Sequence, residues 1–256
     1  MNESENKLVL SIDIGNSYTK IGIISVDNLE CLFKSTIPSS AISTDFSEIL
    51  EFILIKVEAK HIFSTIISSV KSTALTEVER ILEKKDINNV IKFEYHENLS
   101  VNINYTKPDT LGKDRIANLL YANKAYPGRN CIIICTGTAI VIDLLKGNGE
   151  FSGGSILPGL DMQFRALHEH TDALPLVNYS ELVAIPGKST EECIRAGVVH
   201  GTCGAIKNIV NQYNLILDEA LILTSGGSWG RIAPFFNSQY IYIPDMTLIG
   251  TALFSS

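Results

Sequence analysis

The sequence lacks an excess of basic residues. Its 21 lysines and arginines are outnumbered by 28 aspartates and glutamates, which gives a formal net charge of −7. A protein whose main partner is a nucleic acid or an anionic membrane needs a surplus of Lys and Arg, so the composition argues against both partners. A small anionic substrate would need only a local positive site.

Long apolar runs and paired cysteines are also lacking. The apolar stretches at 131–135 and 139–142 fall far short of the ~20 residues that span a bilayer, and residues 2–7 are too polar for a signal peptide. The five cysteines contain no Cys-x-x-Cys pair, so neither a disulfide framework nor a zinc site is indicated. We therefore expect a cytoplasmic protein with reduced thiols.

The apolar pattern predicts an α/β protein. With 256 residues and 45% hydrophobic content, the chain can bury a sizeable core. Apolar runs and helical spacing in the first half predict strands at 8–13, 21–26, 30–36, 61–70 and 89–95 and helices at 46–57 and 74–85. The second half predicts strands at 131–135, 139–145, 150–157 and 220–224, helices at 159–170 and 190–213, and a short final segment from residue 240.

The two halves repeat one pattern. Aligning Gly15 with Gly137 places each glycine turn between two apolar strands at the same phase. This order resembles the actin, sugar kinase and heat-shock ATPase superfamily. We therefore expect a duplicated actin-like (ribonuclease H-like) fold with two mixed-sheet subdomains, at 1–122 and 123–256, and a cleft between them.

The first glycine turn, residues 13–20, reads DIGNSYTK. It can be a phosphate-binding hairpin, in which Asp13 holds Mg²⁺ while Asn16, Ser17 and backbone amides face phosphate oxygens. It can equally be an ordinary hairpin in which Gly15 and Asn16 supply turn chemistry. The turn alone does not decide between these interpretations.

A second candidate lies at residues 105–115, YTKPDTLGKDR, at the start of a predicted helix that ends before Pro127. Asp114 and Arg115 can simply be surface residues, since an acidic side chain is favoured in the first turn of a helix. Their place on the segment that joins the two halves favours a catalytic role instead. A carboxylate there can accept a proton from a substrate hydroxyl, and the guanidinium can bind a carboxylate or phosphoryl oxygen.

Seven short motifs in register span most of the chain, and together they resemble the type III pantothenate kinases. They lie at residues 13–16 (Asp-x-Gly-Asn), 105–115 (Tyr-x-x-Pro-x-x-x-Gly-x-Asp-Arg), 137–139 (Gly-Thr-Ala), 153–159 (Gly-Gly-x-Ile-x-Pro-Gly), 174–175 (Leu-Pro), 187–190 (Gly-Lys-x-Thr) and 226–227 (Gly-Gly).

The resemblance implies phosphorylation of the pantothenate 4′-hydroxyl by ATP with Mg²⁺, the first step of coenzyme A biosynthesis, in a homodimer. It implies that Asp114 is the general base. The ATP-binding residues it implies are Asp13, Ile14, Gly15, Asn16, Ser17, Tyr18, Thr19, Lys20 and Thr138. The pantothenate-binding residues it implies are Tyr105, Gly112, Lys113, Asp114, Arg115 and Thr190, with Thr190 from either subunit.

One position departs from the family pattern. The family has an aspartate, associated with K⁺ or NH₄⁺, where this chain has Cys135. A neutral thiol is a poor ligand for a hard alkali cation. Two outcomes follow: an active kinase that works without the cation, using Asp143 on the next strand, and so has altered cation dependence, or an inactive or regulatory nucleotide-binding homologue. A related kinase or phosphatase with another hydroxylated substrate is a further alternative.

Overall fold

The computed structural model describes residues 7–57 and 62–255. The chain forms two compact units, Met1–Pro127 together with Asp245–Ser256, and Gly128–Pro244. The C-terminal segment thus belongs to the first unit. The predicted division into 1–122 and 123–256 did not include this return. Residues 2–6 and His61, the first residue of a predicted strand, lie outside the described residues.

The regular elements alternate as the apolar pattern predicts. In chain order they are β1 (Leu8–Ile14), β2 (Tyr18–Ser25), β3 (Glu30–Pro38), α1 (Ile42–Val57), β4 (Ile62–Ser69), α2 (Ser72–Lys84), β5 (Val90–Lys92), β6 (Asn102–Ile103), α3 (Lys113–Ala125), β7 (Cys131–Thr136), β8 (Ala139–Leu145), β9 (Glu150–Pro158), α4 (Leu160–Glu169), α5 (Thr190–Asn214), β10 (Leu221–Ser225), α6 (Trp229–Ile232), β11 (Ile241–Tyr242) and α7 (Met246–Ala252). The sequence pattern did not predict α7.

The first unit is built on a sheet with the strand order β3-β2-β1-β4-β5. The first three strands are antiparallel, whereas β1, β4 and β5 run parallel. Because side chains alternate along a strand, Leu10, Ile12 and Ile14 point into one core with Phe46 and Leu50 of α1. All five of these side chains are fully buried.

The opposite face of this sheet is covered by α3 and α7. The Ser11 hydroxyl donates a 2.8 Å hydrogen bond to the carbonyl of Leu248 in α7, and Thr247 is hydrogen-bonded to the Asn118 side chain of α3. Gly250 lies directly against the backbone of Ala117, where a Cβ atom would collide. The C-terminal helix is therefore part of the packing that holds the N-terminal end of α3 over β1.

The second unit repeats this topology. Its strands lie in the order β11-β10-β7-β8-β9, which is the same order as in the first unit when read from the other edge. Again the first three strands are antiparallel and β7 runs parallel to β10. Its core packs Ile132, Ile134 and Ile140 with residues of α5 such as Val199 and Ile206. The predicted duplication is confirmed.

The described residues contain no helix long and apolar enough to span a bilayer.

Candidate active site

The carbonyl oxygens of the β1–β2 hairpin all accept hydrogen bonds. Those of Ile14 and Gly15 accept from the Val70 amide and the Ser39 hydroxyl, and that of Asn16 accepts from the Lys71 ammonium. Those of Ser17 and Tyr18 accept from the Ser39 amide and the Gly15 amide. With its carbonyl oxygens committed to these donors, the turn is suited to present backbone N–H groups to an anion.

Three polar side chains lie in a row across the sheet beside this hairpin. The strand register pairs Asp13 with Lys20 on one side and with Ser68 on the other. Burial raises the pKa of Asp13 to about 6, against the opposing effects of the Lys20 charge and of the hydrogen bond from Ser68, and the Asp114 carboxylate raises it further. Asp13 is therefore a desolvated carboxylate that a bound cation would stabilise in its ionised form.

Asp114 lies in the first turn of α3, on the same face of the sheet. Helix α3 begins after Gly112, and the carboxylate folds back over that glycine, so that a Cβ atom at 112 would lie 2.6 Å from Asp114 Oδ1. The side chain of Asp114 is exposed, in contrast to the rest of the first half of α3. Gly112 thus leaves the space that this carboxylate occupies, and solvent or a substrate can reach it.

Arg115 and Tyr105 lie together next to Asp114. Arg115 is 7% exposed, an unusual degree of burial for a guanidinium, and its Cζ atom lies 5.9 Å from the centre of the Tyr105 ring. The phenol itself is half exposed. The first unit therefore brings together Asp13, Asp114, Arg115 and Tyr105, four of the residues predicted from the sequence; Lys113 is the first residue of α3.

The second unit presents an equivalent hairpin between β7 and β8. The Gly137 amide donates to the Ala139 carbonyl at 2.9 Å, as Gly15 does to Tyr18 at 3.0 Å in the first unit. Thr138 is exposed at the tip. Cys135 pairs with Val141, so Asp143, two residues further along β8, lies on the same face of the sheet and is 1% exposed.

Thr190 is the first residue of α5 and lines a cavity of about 710 Å³ in the second unit. The other walls of this cavity come largely from apolar side chains of α4 and α5, among them Leu167, Ile194 and Val198. Trp229 lies elsewhere in the unit and is buried against Phe236 and Tyr240, so it packs in the core.

Sequence reasoning missed Lys71. Its ammonium donates a 2.6 Å hydrogen bond to the Asn16 carbonyl at the tip of the first hairpin, across 55 residues of chain. No motif marks this lysine, because it reaches the hairpin only through the parallel pairing of β1 with β4.

The donor set fits Mg²⁺ with ATP and does not fit an alkali cation at Cys135. No group of three or more His, Cys, Asp or Glu side chains suited to a metal occurs in the described parts of the chain. That is compatible with Mg²⁺, which is held by one or two carboxylates together with phosphate oxygens and water, and Asp13 offers such a carboxylate. The Cys135 sulfur is a soft donor that suits K⁺ poorly.

Comparison of the fold with solved structures defines the class of protein. A Campylobacter jejuni protein described as a putative Baf family transcriptional activator superposes with a TM-score of 0.58 at 20% identity, covering 95% of this chain and 94% of that one. A second match is the activator of the 2-hydroxyisocaproyl-CoA dehydratase from Clostridium difficile, solved with bound ADPNP. It superposes with a TM-score of 0.56 at 16% identity, covering 96% of this chain and 93% of that one. The fold is that of the actin-like ATPases and sugar kinases.

Sequence comparison narrows this class to one family. The family model for type III pantothenate kinase matches residues 9–212. The type III pantothenate kinase of Christiangramia forsetii is 34% identical over 235 residues, 92% of this chain and 88% of that protein. The type III pantothenate kinase of Cytophaga hutchinsonii is 30% identical over 240 residues, which cover 93% of this chain and 94% of that protein. The chain belongs to the type III pantothenate kinase family.

A further relative matches over a shorter span. The type III pantothenate kinase of Porphyromonas gingivalis is 36% identical over 144 residues, which is 55% of this chain and 59% of that protein.

Proposed function

We propose that this chain transfers the γ-phosphoryl group of ATP to the 4′-hydroxyl of pantothenate, the first step of coenzyme A biosynthesis. As a type III pantothenate kinase by family, it is a phosphotransferase that acts on pantothenate. The observation that supports the proposal most directly is that Asp114 lies, accessible, beside Asp13 and the β1–β2 hairpin of the same unit. The acceptor site and the phosphate site that we propose would thereby be adjacent.

In this proposal Asp114 is the general base. Its exposed carboxylate accepts the proton of the 4′-hydroxyl as the hydroxyl oxygen attacks the γ-phosphorus atom. The O–P bond to pantothenate forms, the bond to the β–γ bridging oxygen of ATP breaks, and ADP leaves. Gly112 leaves room for the carboxylate to take this position.

The proposed ATP-binding residues of the first unit are those of the first hairpin, from Asp13 to Lys20. Thr138, at the tip of the second hairpin, is the proposed ATP-binding residue of the second unit. Asp13 would hold Mg²⁺, directly or through water, and the Lys20 side chain next to it adds positive charge. The metal would supply charge neutralisation for the phosphate groups of the nucleotide. Since binding of a cation requires the ionised form of Asp13, its raised pKa predicts that nucleotide binding weakens below about pH 6.

Pantothenate is a small carboxylate with hydroxyl and amide groups, and the residues proposed to bind it match these groups. Arg115 offers a bidentate donor to the carboxylate. The Tyr105 hydroxyl and the Thr190 hydroxyl offer hydrogen bonds, and Gly112 and Lys113 are the remaining residues proposed to bind pantothenate. The proposal includes a homodimer in the cytoplasm, with Thr190 contributed by either subunit.

The monovalent cation of the family is the part of the site that this chain changes. We propose an active kinase with altered cation dependence, because Asp13, Asp114 and Arg115 are all retained. In this proposal the kinase works without the cation, and the buried carboxylate of Asp143, on the same face of β8 as the partner of Cys135, keeps an acidic side chain there. The competing hypothesis is an inactive nucleotide-binding homologue, and it does not explain why all three of these side chains are present.

An ADP-release assay with Mg·ATP tests the proposal. Pantothenate is compared with a panel of other hydroxylated compounds, including sugars and polyols, and the product is identified by mass spectrometry. We expect phosphopantothenate, with pantothenate the preferred acceptor. Preference for another acceptor would favour a related kinase, and no phosphopantothenate under any salt condition would favour the inactive homologue.

A further inference from the structure

Lys71 is a basic residue beside the phosphate-binding hairpin that neither the sequence motifs nor the family comparison assigns. It follows β4, whose last residue, Ser69, pairs with Ile14 of β1. In α/β proteins, ligands bind outside the carboxyl ends of parallel strands. Lys71 is therefore at the edge of the sheet where the nucleotide is proposed to bind.

Local hydrogen bonds hold Lys71 in this place. The Ser69 hydroxyl accepts from the Lys71 amide at 3.0 Å and donates to the Lys71 carbonyl at 2.9 Å. The backbone of the lysine is thus fixed by a serine turn, and its half-buried side chain reaches the hairpin tip. An ammonium group can donate three hydrogen bonds, and the Asn16 carbonyl accepts one of them.

The electrostatic setting of Lys71 favours an anion. The residue is the N-cap of α2, and the first turn of this helix contains no acidic side chain. A cation at a helix N-terminus is opposed by the macrodipole. Within residues 7–57 and 62–255, no carboxylate forms an ion pair with Lys71. A bound anion would compensate both the charge of the ammonium group and the partial positive charge of the helix end.

The second unit provides an internal comparison. There the strand equivalent to β4 is β10, and it is followed by Gly226 and Gly227. Gly226, with a φ of 98°, lies against the backbone of Thr136 at the second hairpin. The same loop lies beside its own hairpin in the first unit. Because Ser68 pairs with Asp13 as Ser225 pairs with Cys135, Lys71 corresponds to Ser228, the N-cap of α6, so the first unit has a cation where the second has a neutral hydroxyl.

We propose that Lys71 is a further nucleotide-binding residue, whose ammonium group donates hydrogen bonds to the phosphate oxygens of the nucleotide at the β1–β2 hairpin. The ligand class is a nucleoside di- or triphosphate, recognised through its phosphates. The bond to Asn16 keeps the ammonium at the hairpin before the nucleotide arrives. This inference rests on the proposed nucleotide site, and it does not depend on which acceptor is phosphorylated.

The test measures binding in the full chain without an acceptor. Dissociation constants for Mg·ATP, inorganic tripolyphosphate and adenosine are obtained by NMR titration of the ¹⁵N-labelled wild type, Lys71→Met, Lys71→Arg and Lys84→Met. Lys84→Met is the matched control, because Lys84 is an exposed lysine at the other end of α2.

We expect Lys71→Met to weaken Mg·ATP and tripolyphosphate binding roughly tenfold, or about 1.4 kcal/mol, and to leave adenosine binding unchanged. Lys71→Arg retains most of the affinity, and Lys84→Met behaves as the wild type. Unchanged ATP binding in Lys71→Met would overturn the inference. So would an equal loss for adenosine, because it would mean that Lys71 only shapes the hairpin.

The outcome is separable from that of the proposed function. A protein that binds ATP through Lys71 but phosphorylates no pantothenate supports this inference and contradicts the proposed reaction.

Discussion

The carboxylate of Asp114, at the start of α3, lies close enough to that of Asp13, at the end of β1, to raise the pKa of Asp13. The two residues are 101 positions apart in the sequence, and they meet because α3 packs on the face of the sheet to which Asp13 points. The charge of the proposed base thus acts on the proposed Mg²⁺ ligand before any ligand binds.

Substitution of the base is the first prediction. Asp114→Asn keeps the size of the side chain but removes its ability to accept a proton, so we expect turnover to fall by about 10²–10⁴-fold with little change in melting temperature. Asp109→Asn, at an exposed position of the preceding turn, is the control and retains activity. Near-normal turnover of Asp114→Asn would rule out its role as base.

A second prediction concerns stability and pH. Because the pKa of Asp13 is raised on folding, its contribution to stability is fully present below the unfolded value of 3.8 and is lost as the pH rises through about 6. In Asp13→Asn the side chain does not ionise, so this loss of stability with rising pH does not occur. We expect its free energy of unfolding to exceed that of the wild type by about 1–2 kcal/mol above pH 7, and by less at pH 4.

Urea denaturation of both proteins from pH 4 to pH 8 measures this difference. The same substitution should abolish Mg·ATP binding, since it removes the proposed metal ligand. A pH-independent difference in stability would contradict the raised pKa.

The third prediction addresses Cys135. Because a neutral thiol binds K⁺ poorly, we expect turnover of the wild type to be similar in KCl and in choline chloride at equal ionic strength. Cys135→Asp should gain stimulation by K⁺, whereas the control Cys135→Ser, which adds no carboxylate, should not. A strong K⁺ requirement in the wild type would show that this position does not decide cation dependence.

The fourth prediction tests the packing that holds α3. Gly250→Ala places a methyl group against the backbone of Ala117, so we expect a loss of about 2–3 kcal/mol in the free energy of unfolding. Gly201→Ala is the control: it lies in α5, with nothing within 4 Å of the added Cβ, and should stabilise by about 0.5–1 kcal/mol. Equal effects of the two changes would contradict the close packing of α7 on α3.

Local patterns in the sequence were enough to predict most elements and the duplicated fold. Strand periodicity, the glycine turns at Gly15 and Gly137, and the helix that follows Gly112 depend on residues close together in the chain, so they can be read in order. The same applies to the candidate residues from Asp13 to Lys20 and from Tyr105 to Arg115, because each group lies within one short segment.

Other features depend on contacts between distant segments, and only the tertiary structure decided them. The parallel pairing of β1 with β4 brings Ser68 to Asp13 and Lys71 to Asn16. The return of α7 to the first unit rests on Gly250 against Ala117, and the raised pKa of Asp13 rests chiefly on burial. The sequence by itself determined which chemical groups are available; the packing of segments far apart in the chain decided which of them meet and how far each is desolvated.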